Sequence, residues 1–256
     1  MIPTIREAAR ALSSTQAGLV LFGLLGAALV IQSTSLNGVG ISPDSVVYIS
    51  TADSVLDGNG YTTYLDEPLV SWPPLYPTLL AFLGFVGVDS LDSARAVNAV
   101  VFGLIVLLAG QLFRHMLRSS ALTLLGACSV LLSWPLIQAT TFALTDALFA
   151  LLALFTVLYM PRVLLERRLA PLILLSAIVS LAWLLRYAGA GLFITGIVSI
   201  ALLLQGANRR EKFQYLLIYT LIAVTPITVW LIRNYLLTST TTGRGGGAAS
   251  FSTQIE

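Results

Sequence analysis

Across 256 residues, hydrophobic side chains make up 57% and charged ones only 10%, and the mean hydropathy is +0.88. That balance excludes an ordinary soluble domain and defines a polytopic membrane protein. A net charge of +2 gives no sign of a nucleic-acid partner, and the single Cys128 has nothing to pair with in the chain.

The first sixteen residues carry Arg6, Glu7 and Arg10, and the apolar run behind them lacks a small-residue cleavage site, so it reads as a retained signal anchor. A spanning helix needs roughly 20 apolar residues. Seven runs qualify as candidates, at about 17–35, 93–114, 119–137, 145–161, 170–188, 190–206 and 213–236. An eighth, Leu75 to Val88, is short and lies between a proline run and two acids.

Charge decides how to treat that eighth run. With 75–88 lying on the membrane surface, one side of the bilayer receives ten Lys/Arg and three acids: Arg6, Glu7, Arg10, Arg114, Arg118, Arg162, Glu166, Arg167, Arg168, Arg209, Arg210, Glu211 and Lys212. The other side receives four arginines (Arg95, Arg186, Arg233, Arg244) and nine acids. The positive-inside rule then puts the N-terminus in the cytoplasm. Were 75–88 to cross, the bias would reverse, so it is expected to be an interfacial or half-buried helix. The expected fold is therefore all-α, with about seven transmembrane helices and interfacial juxtamembrane helices in the first external loop. That gives a membrane module over 1–240, an external loop at 36–92, and a flexible Gly- and Ser-rich tail at 241–256.

The longest polar passage, Ile41 to Pro77, gathers acids, aromatics and prolines. Within it Asp44 stands before a short helical pattern carrying Val47, Tyr48 and Val55, which Gly58 and Gly60 close. The SWPPLYP run at 71–77 fixes backbone torsions and removes amide donors.

Ionisable groups near hydrocarbon are functional hypotheses. Asp44, Asp146 and Arg186 all fall on the outer side: two carboxylates that can take a proton, and a cation that can stabilise a departing phosphate. Each also has a plainer reading. Asp44 and Asp146 suit helix caps, and Arg186 suits snorkelling to headgroups. Arg95 and Arg233 read as interfacial anchors, and His115 as a solvated side chain among arginines. Tyr61, Tyr64 and Trp72 form an aromatic belt or stack on a sugar. Glu67 and Asp66 are exposed acids able to orient an acceptor.

These residues together resemble the GT-C superfamily of polyprenyl-phosphate-dependent glycosyltransferases, in particular the protein O-mannosyltransferase and aminoarabinose transferase-like branch. The resemblance rests on an ordered set: Asp44 to Tyr48, the PPLYP run at Pro73 to Pro77, Arg95, the Thr-Asp-Ala-Leu at 145–148 and Arg186 to Gly189. It covers about residues 17–240. Ser71-Trp72 stands where the aminoarabinose branch has a charged pair, so that branch's substrate does not carry over. The resemblance implies Asp44 as general base, Asp146 as supporting acid, and Arg186 with Arg95 as donor-phosphate contacts. It implies Tyr48, Glu67, Trp72 and Tyr76 as substrate-binding residues.

It further implies a polyprenyl-phosphate-linked sugar reached from the bilayer, an external protein, lipid or glycan acceptor, and a bacterial plasma membrane location. No metal ligand set is expected, although paired external acids are compatible with a divalent cation. Family enzymes continue into a later external loop, so the tail reads as its beginning. The competing reading is a non-catalytic membrane subunit serving assembly or lipid binding. A secondary transporter is disfavoured by the lack of an internal repeat or broken-helix pair.

Overall fold

The computed structural model describes residues 5–117, 119–204 and 206–243, with side chains from Ser14 onward. The charges at Arg6, Glu7, Arg10, Arg118, Arg244 and Glu256, and the expected flexible tail beyond 243, lie outside the described side chains. Among the described residues there are ten helices and no strand, only two isolated bridges. The helices are α1 (Ile5–Ser33), α2 (Pro43–Leu56), α3 (Leu75–Gly84), α4 (Ser90–Met116), α5 (Ser120–Leu131), α6 (Trp134–Thr141), α7 (Asp146–Glu166), α8 (Leu169–Leu185), α9 (Gly189–Leu203) and α10 (Arg209–Thr238).

Four of these, α1 from Ser14, α4, α7 and α10, are long and apolar enough to cross a membrane. The expected run at 119–137 is instead two helices, α5 and α6, bent by 45° at their junction, which makes a fifth span if the pair counts as one. Pro135 in the first turn of α6 lacks an amide hydrogen and cannot continue α5, so the chain restarts there. The remaining apolar helices, α8 at 17 residues and α9 at 15, are shorter than the usual spanning length.

The ten residues of α3 rise only about 15 Å, half of a hydrocarbon core of roughly 30 Å. One side of α3 is inside, with Tyr76, Pro77, Leu80 and Ala81 buried. Phe82, Phe85 and Val86 at its far end are exposed. At that length α3 does not by itself reach across a hydrocarbon core.

The chain divides into two compact units, Met1–Val46 with Leu83–Leu158, and Val47–Phe82 with Tyr159–Glu256. In the first, α1 packs along α4. A side-chain carbon at Gly23 would sit 2.9 Å from the Gly103 carbonyl oxygen, and one at Gly103 2.7 Å from that of Gly23. The two backbones touch at this crossing, and only glycine fits on either side. Val30, Phe102 and Val106 fill the space beside it, and Val101 and Ile105 of α4 pack on Ala147 and Leu151 of α7. Polar clasps close both ends. Gln16 Oε1 accepts from Gln111 and Arg114 at 2.8 and 2.7 Å, and Arg95 donates to the C-terminal end of α1.

In the second unit, α8, α9 and α10 pack around Leu172, Leu175, Val179, Ile200, Tyr219 and Ala223. Phe193 stacks on Tyr219 with ring centres 5.6 Å apart. A second cluster, Val47, Leu69, Ile227 and Trp230, draws in Tyr61, Trp72 and Tyr187, so that the polar loop is anchored on apolar contacts.

Candidate active site

Asp44 and Asp146 owe their placement to one piece of backbone. Gly40 and Phe142 form a parallel bridge, in which the Gly40 amide donates to the Thr141 carbonyl at 2.7 Å and the Ala143 amide to the Gly40 carbonyl at 3.0 Å. Two strands of chain running in the same direction leave this bridge, and each enters a helix within a few residues: α2 with Asp44 in its first turn, and α7 with Asp146 as its first residue. Glycine is required at position 40, since a side-chain carbon there would meet the Phe142 ring at 2.7 Å. The buried Asn98 of α4 steadies the other strand, its Nδ2 donating to the carbonyls of Thr140 and Phe142 at 3.0 and 2.7 Å.

Asp44 is not the residue that caps its helix. At the start of α2, Ser42 does that work: its hydroxyl accepts from the Ser45 amide at 3.2 Å, while the Ser45 hydroxyl accepts from the Ser42 amide at 3.0 Å. The Asp44 carboxylate is exposed and accepts no hydrogen bond from any described residue. At α7 the first helical carbonyl is that of the buried Thr145, which accepts from the Phe149 amide, and Asp146 beyond it is exposed. Two accessible anionic groups at adjoining helix starts are suited to accepting a proton.

Arg95, expected as a phosphate contact, uses two donors within the fold. Its Nε donates to the Thr34 hydroxyl at 3.0 Å and its terminal nitrogen to the Ile31 carbonyl at 2.8 Å, so it satisfies one carbonyl left over in the last turn of α1. Arg186 lies in the other unit, half-buried, at the turn where α8 ends. Its amide closes α8 onto the Ala182 carbonyl, and its own carbonyl accepts from Gly189, the first residue of α9.

The four expected substrate contacts divide by exposure. Glu67 is exposed on a tight hairpin, where Thr62 bridges Pro68 and the Thr63 amide donates to the Glu67 carbonyl at 2.9 Å. Trp72 is half-buried against the Val47, Leu69 and Trp230 cluster. Tyr48 and Tyr76 are both inside, ring edge to ring face with centres 5.2 Å apart. Burial, with Tyr48 beside it, pushes the Tyr76 phenol up. Its hydroxyl and that of Thr51 on α2 are buried with no hydrogen-bond partner among the described residues. Tyr48 and Tyr76 thus join α2 to α3 and hold the proline-led segment.

Sequence reasoning missed the residues that hold the loop. Arg233 donates to the carbonyls of Leu69 at 2.7 Å and Tyr61 at 3.3 Å and lies 4.5 Å over the Trp230 ring. Asn234 and Tyr187 both donate to the Val70 carbonyl. Arg233 is therefore a loop fastener rather than the interfacial anchor expected. The signal for it was an Arg-Asn pair inside the last turns of an otherwise apolar run. Among the described residues, no group of three or more His, Cys, Asp or Glu side chains gathers to hold a metal ion.

An all-helical protein with at least four helices long and apolar enough to cross a membrane belongs to the class of polytopic membrane proteins. The sequence profile of the dolichyl-phosphate-mannose-protein mannosyltransferase family matches residues 71–230, and the chain belongs to that family, within the GT-C superfamily. Trp72, Tyr76, Arg95, Asp146 and Arg186 fall inside the matched range, while Asp44, Tyr48 and Glu67 precede it. Comparison with curated proteins and with solved structures gives no match. Family and apolar helices together make this an integral membrane protein of glycosyltransferase type.

Proposed function

We propose that the chain forms all or part of a glycosyltransferase that moves a sugar from a polyprenyl-phosphate carrier to an acceptor on the outer face of a bacterial plasma membrane. Family membership carries this reading, and the family's description points to mannose as the sugar. The acceptor hydroxyl attacks the anomeric carbon, the bond from that carbon to the carrier phosphate oxygen breaks, and the hydroxyl proton passes to Asp44. Asp146 supports the same site, and Arg186 balances the charge that grows on the leaving phosphate. Arg95 acts by holding the end of α1. Glu67 and Trp72 on the loop meet the substrate, with Tyr48 and Tyr76 behind them.

The matching topology has α8 and α9 as short spans and α5 with α6 as one broken span, seven in all, over a 1–240 module. The N-terminus is cytoplasmic, and α2 and α3 lie against the outer leaflet. The exposed, unengaged carboxylate of Asp44 at a stitched helix start supports its role as base.

The test is transfer of a labelled sugar from polyprenyl phosphate in membranes carrying Asp44→Asn. The isosteric amide should lower the rate by roughly 10³-fold or more while leaving the unfolding temperature unchanged. Full activity in that variant rejects Asp44 as the base.

A further inference from the structure

A second charged region lies away from the acids just described, where the α7–α8 and α9–α10 turns come together. The two turns are joined by an ion pair, Arg167 to Glu211 at 2.8 Å. Between them is a cavity of about 490 Å³, with Arg167, Glu211, Gln214 and Tyr215 as its polar lining and Leu169 and Leu204 among its apolar walls. That volume lies within the range of small-ligand sites.

Three features give the cavity a preference for an anion. The end of α7, the two turns and the first turn of α10 carry five cations, Arg167, Arg168, Arg209, Arg210 and Lys212, against only two acids, Glu166 and Glu211. Glu211 is already engaged, since it pairs with Arg167 and also accepts from the Asn208 amide at 2.9 Å as part of the α10 capping box. The start of α8 is open by contrast: Arg168 stands at its cap position and makes no side-chain cap hydrogen bond, and Leu169, its first residue, lines the cavity. Pro171, the third residue of α8, has no amide hydrogen, so the open donors are the amides of Leu169 and Ala170, and uncapped amides at a helix start attract anionic oxygen. The backbone at Arg167 is left-handed, with φ at 52°, a conformation that a side-chain-bearing residue holds only at a cost. This geometry sets the guanidinium at the edge of the cavity.

The rim identifies the source of the anion. Leu165 is 81% exposed, Leu202 72% and Phe213 65%, and Leu169 is exposed as well. Large apolar groups bare beside a ring of cations mark the depth at which acyl chains give way to headgroups.

We propose that this cavity binds the headgroup of an anionic phospholipid. Its phosphodiester sits between Arg167 and the open amides of α8, Gln214 and Tyr215 face the polar head, and the acyl chains run along Leu165, Leu169, Leu202 and Phe213. A zwitterionic headgroup is selected against, because its ammonium would enter a cluster of like charge. The site does not depend on the transferase reading and stands or falls separately from it.

The experiment is native mass spectrometry of the full chain released from detergent with phosphatidylglycerol or phosphatidylcholine, together with thermal unfolding in the presence of either lipid or of inorganic phosphate. One phosphatidylglycerol should be retained per chain and should raise the unfolding temperature, with phosphatidylcholine doing neither. Arg167→Gln should cut retention by roughly five- to tenfold, as expected for one cation at a lipid surface. Should that variant unfold because Glu211 loses its partner, the paired Arg167→Gln/Glu211→Gln protein replaces it, and Gln214→Leu should weaken retention in an intact fold. Equal retention of both lipids, or no change in the variants that fold, overturns the proposal. Displacement of phosphatidylglycerol by millimolar inorganic phosphate also overturns it, in favour of a soluble-phosphate site.

Discussion

The stretch leading to Asp44 and the loop from Tyr61 to Trp72 are held by opposite means. The first is fixed by main-chain hydrogen bonds through Gly40, with serines at the helix cap, so its charged side chain is left exposed and unengaged. The second is fixed by a charged side chain, Arg233, which spends its donors on the carbonyls of Leu69 and Tyr61. The contrast separates two uses of an ionisable residue near a membrane. A group whose hydrogen-bonding capacity is consumed by the fold is architecture, and one that the fold positions without consuming is available for chemistry.

The strongest way to break that contrast is Asp44→Asn, which should remove transfer without touching stability. Gly40→Val should come next. A branched side chain would push on the Phe142 ring and loosen the bridge, with a fall in rate of roughly 10- to 100-fold from misplacement of the acid. Kinetics on protein that still unfolds cooperatively would check it.

On the architectural side, Arg233→Ala should cost about 2–3 kcal/mol, from two lost hydrogen bonds made by a charged donor and a lost ring contact. Thermal unfolding with limited proteolysis should show the 61–72 loop cut first.

Arg95→Ala sharpens the comparison further. A loss of about 1–2 kcal/mol with an unchanged KM for the lipid donor marks it as a clasp on α1. A raised KM in a protein of unchanged stability would return it to the donor phosphate.

The smallest effect concerns Asp89, the cap of α4. The amides of Asp92 and Leu91 donate to its carboxylate at 3.0 Å and hold its pKa below the usual carboxylate range. A carboxylate lowered by folding stabilises above its unfolded pKa, and that contribution fades as pH falls through the folded value. Asp89→Asn should therefore unfold like the parent protein at pH 7, since Asn caps nearly as well. Its melting temperature should fall slightly less than the parent's between pH 5 and pH 3.

The helices were legible in the sequence because apolar runs declare them, and α3 was legible as a half-length segment because prolines and acids bound it. The break between α5 and α6 was not, although Pro135 lies within the run, because hydropathy alone passes smoothly over one proline. Asp44, Asp146 and Arg186 stood out as charges at the ends of oily segments. What each does locally was hidden, since it depends on pairings distant in sequence. Arg95 reads as an anchor until Thr34 and Ile31 are seen beside it, 61 and 64 residues away. Arg233 reaches back 164 residues to Leu69. Ser42, rather than Asp44, takes the cap of α2 because the hydroxyls of Ser42 and Ser45 serve each other's amides, a preference that residue type alone does not reveal.

The glycine-to-glycine crossing of α1 and α4 also bears on how the protein is made. The partner surface for Gly23 is Gly103, which leaves the ribosome about eighty residues later, a delay of roughly 4–16 s at ordinary synthesis rates. During that interval the groove of the first helix is unfilled, whereas Leu175 of α8 waits only about 44 residues for Tyr219 of α10. A factor that shields bare small-residue grooves would therefore have its longest task at the α1 groove.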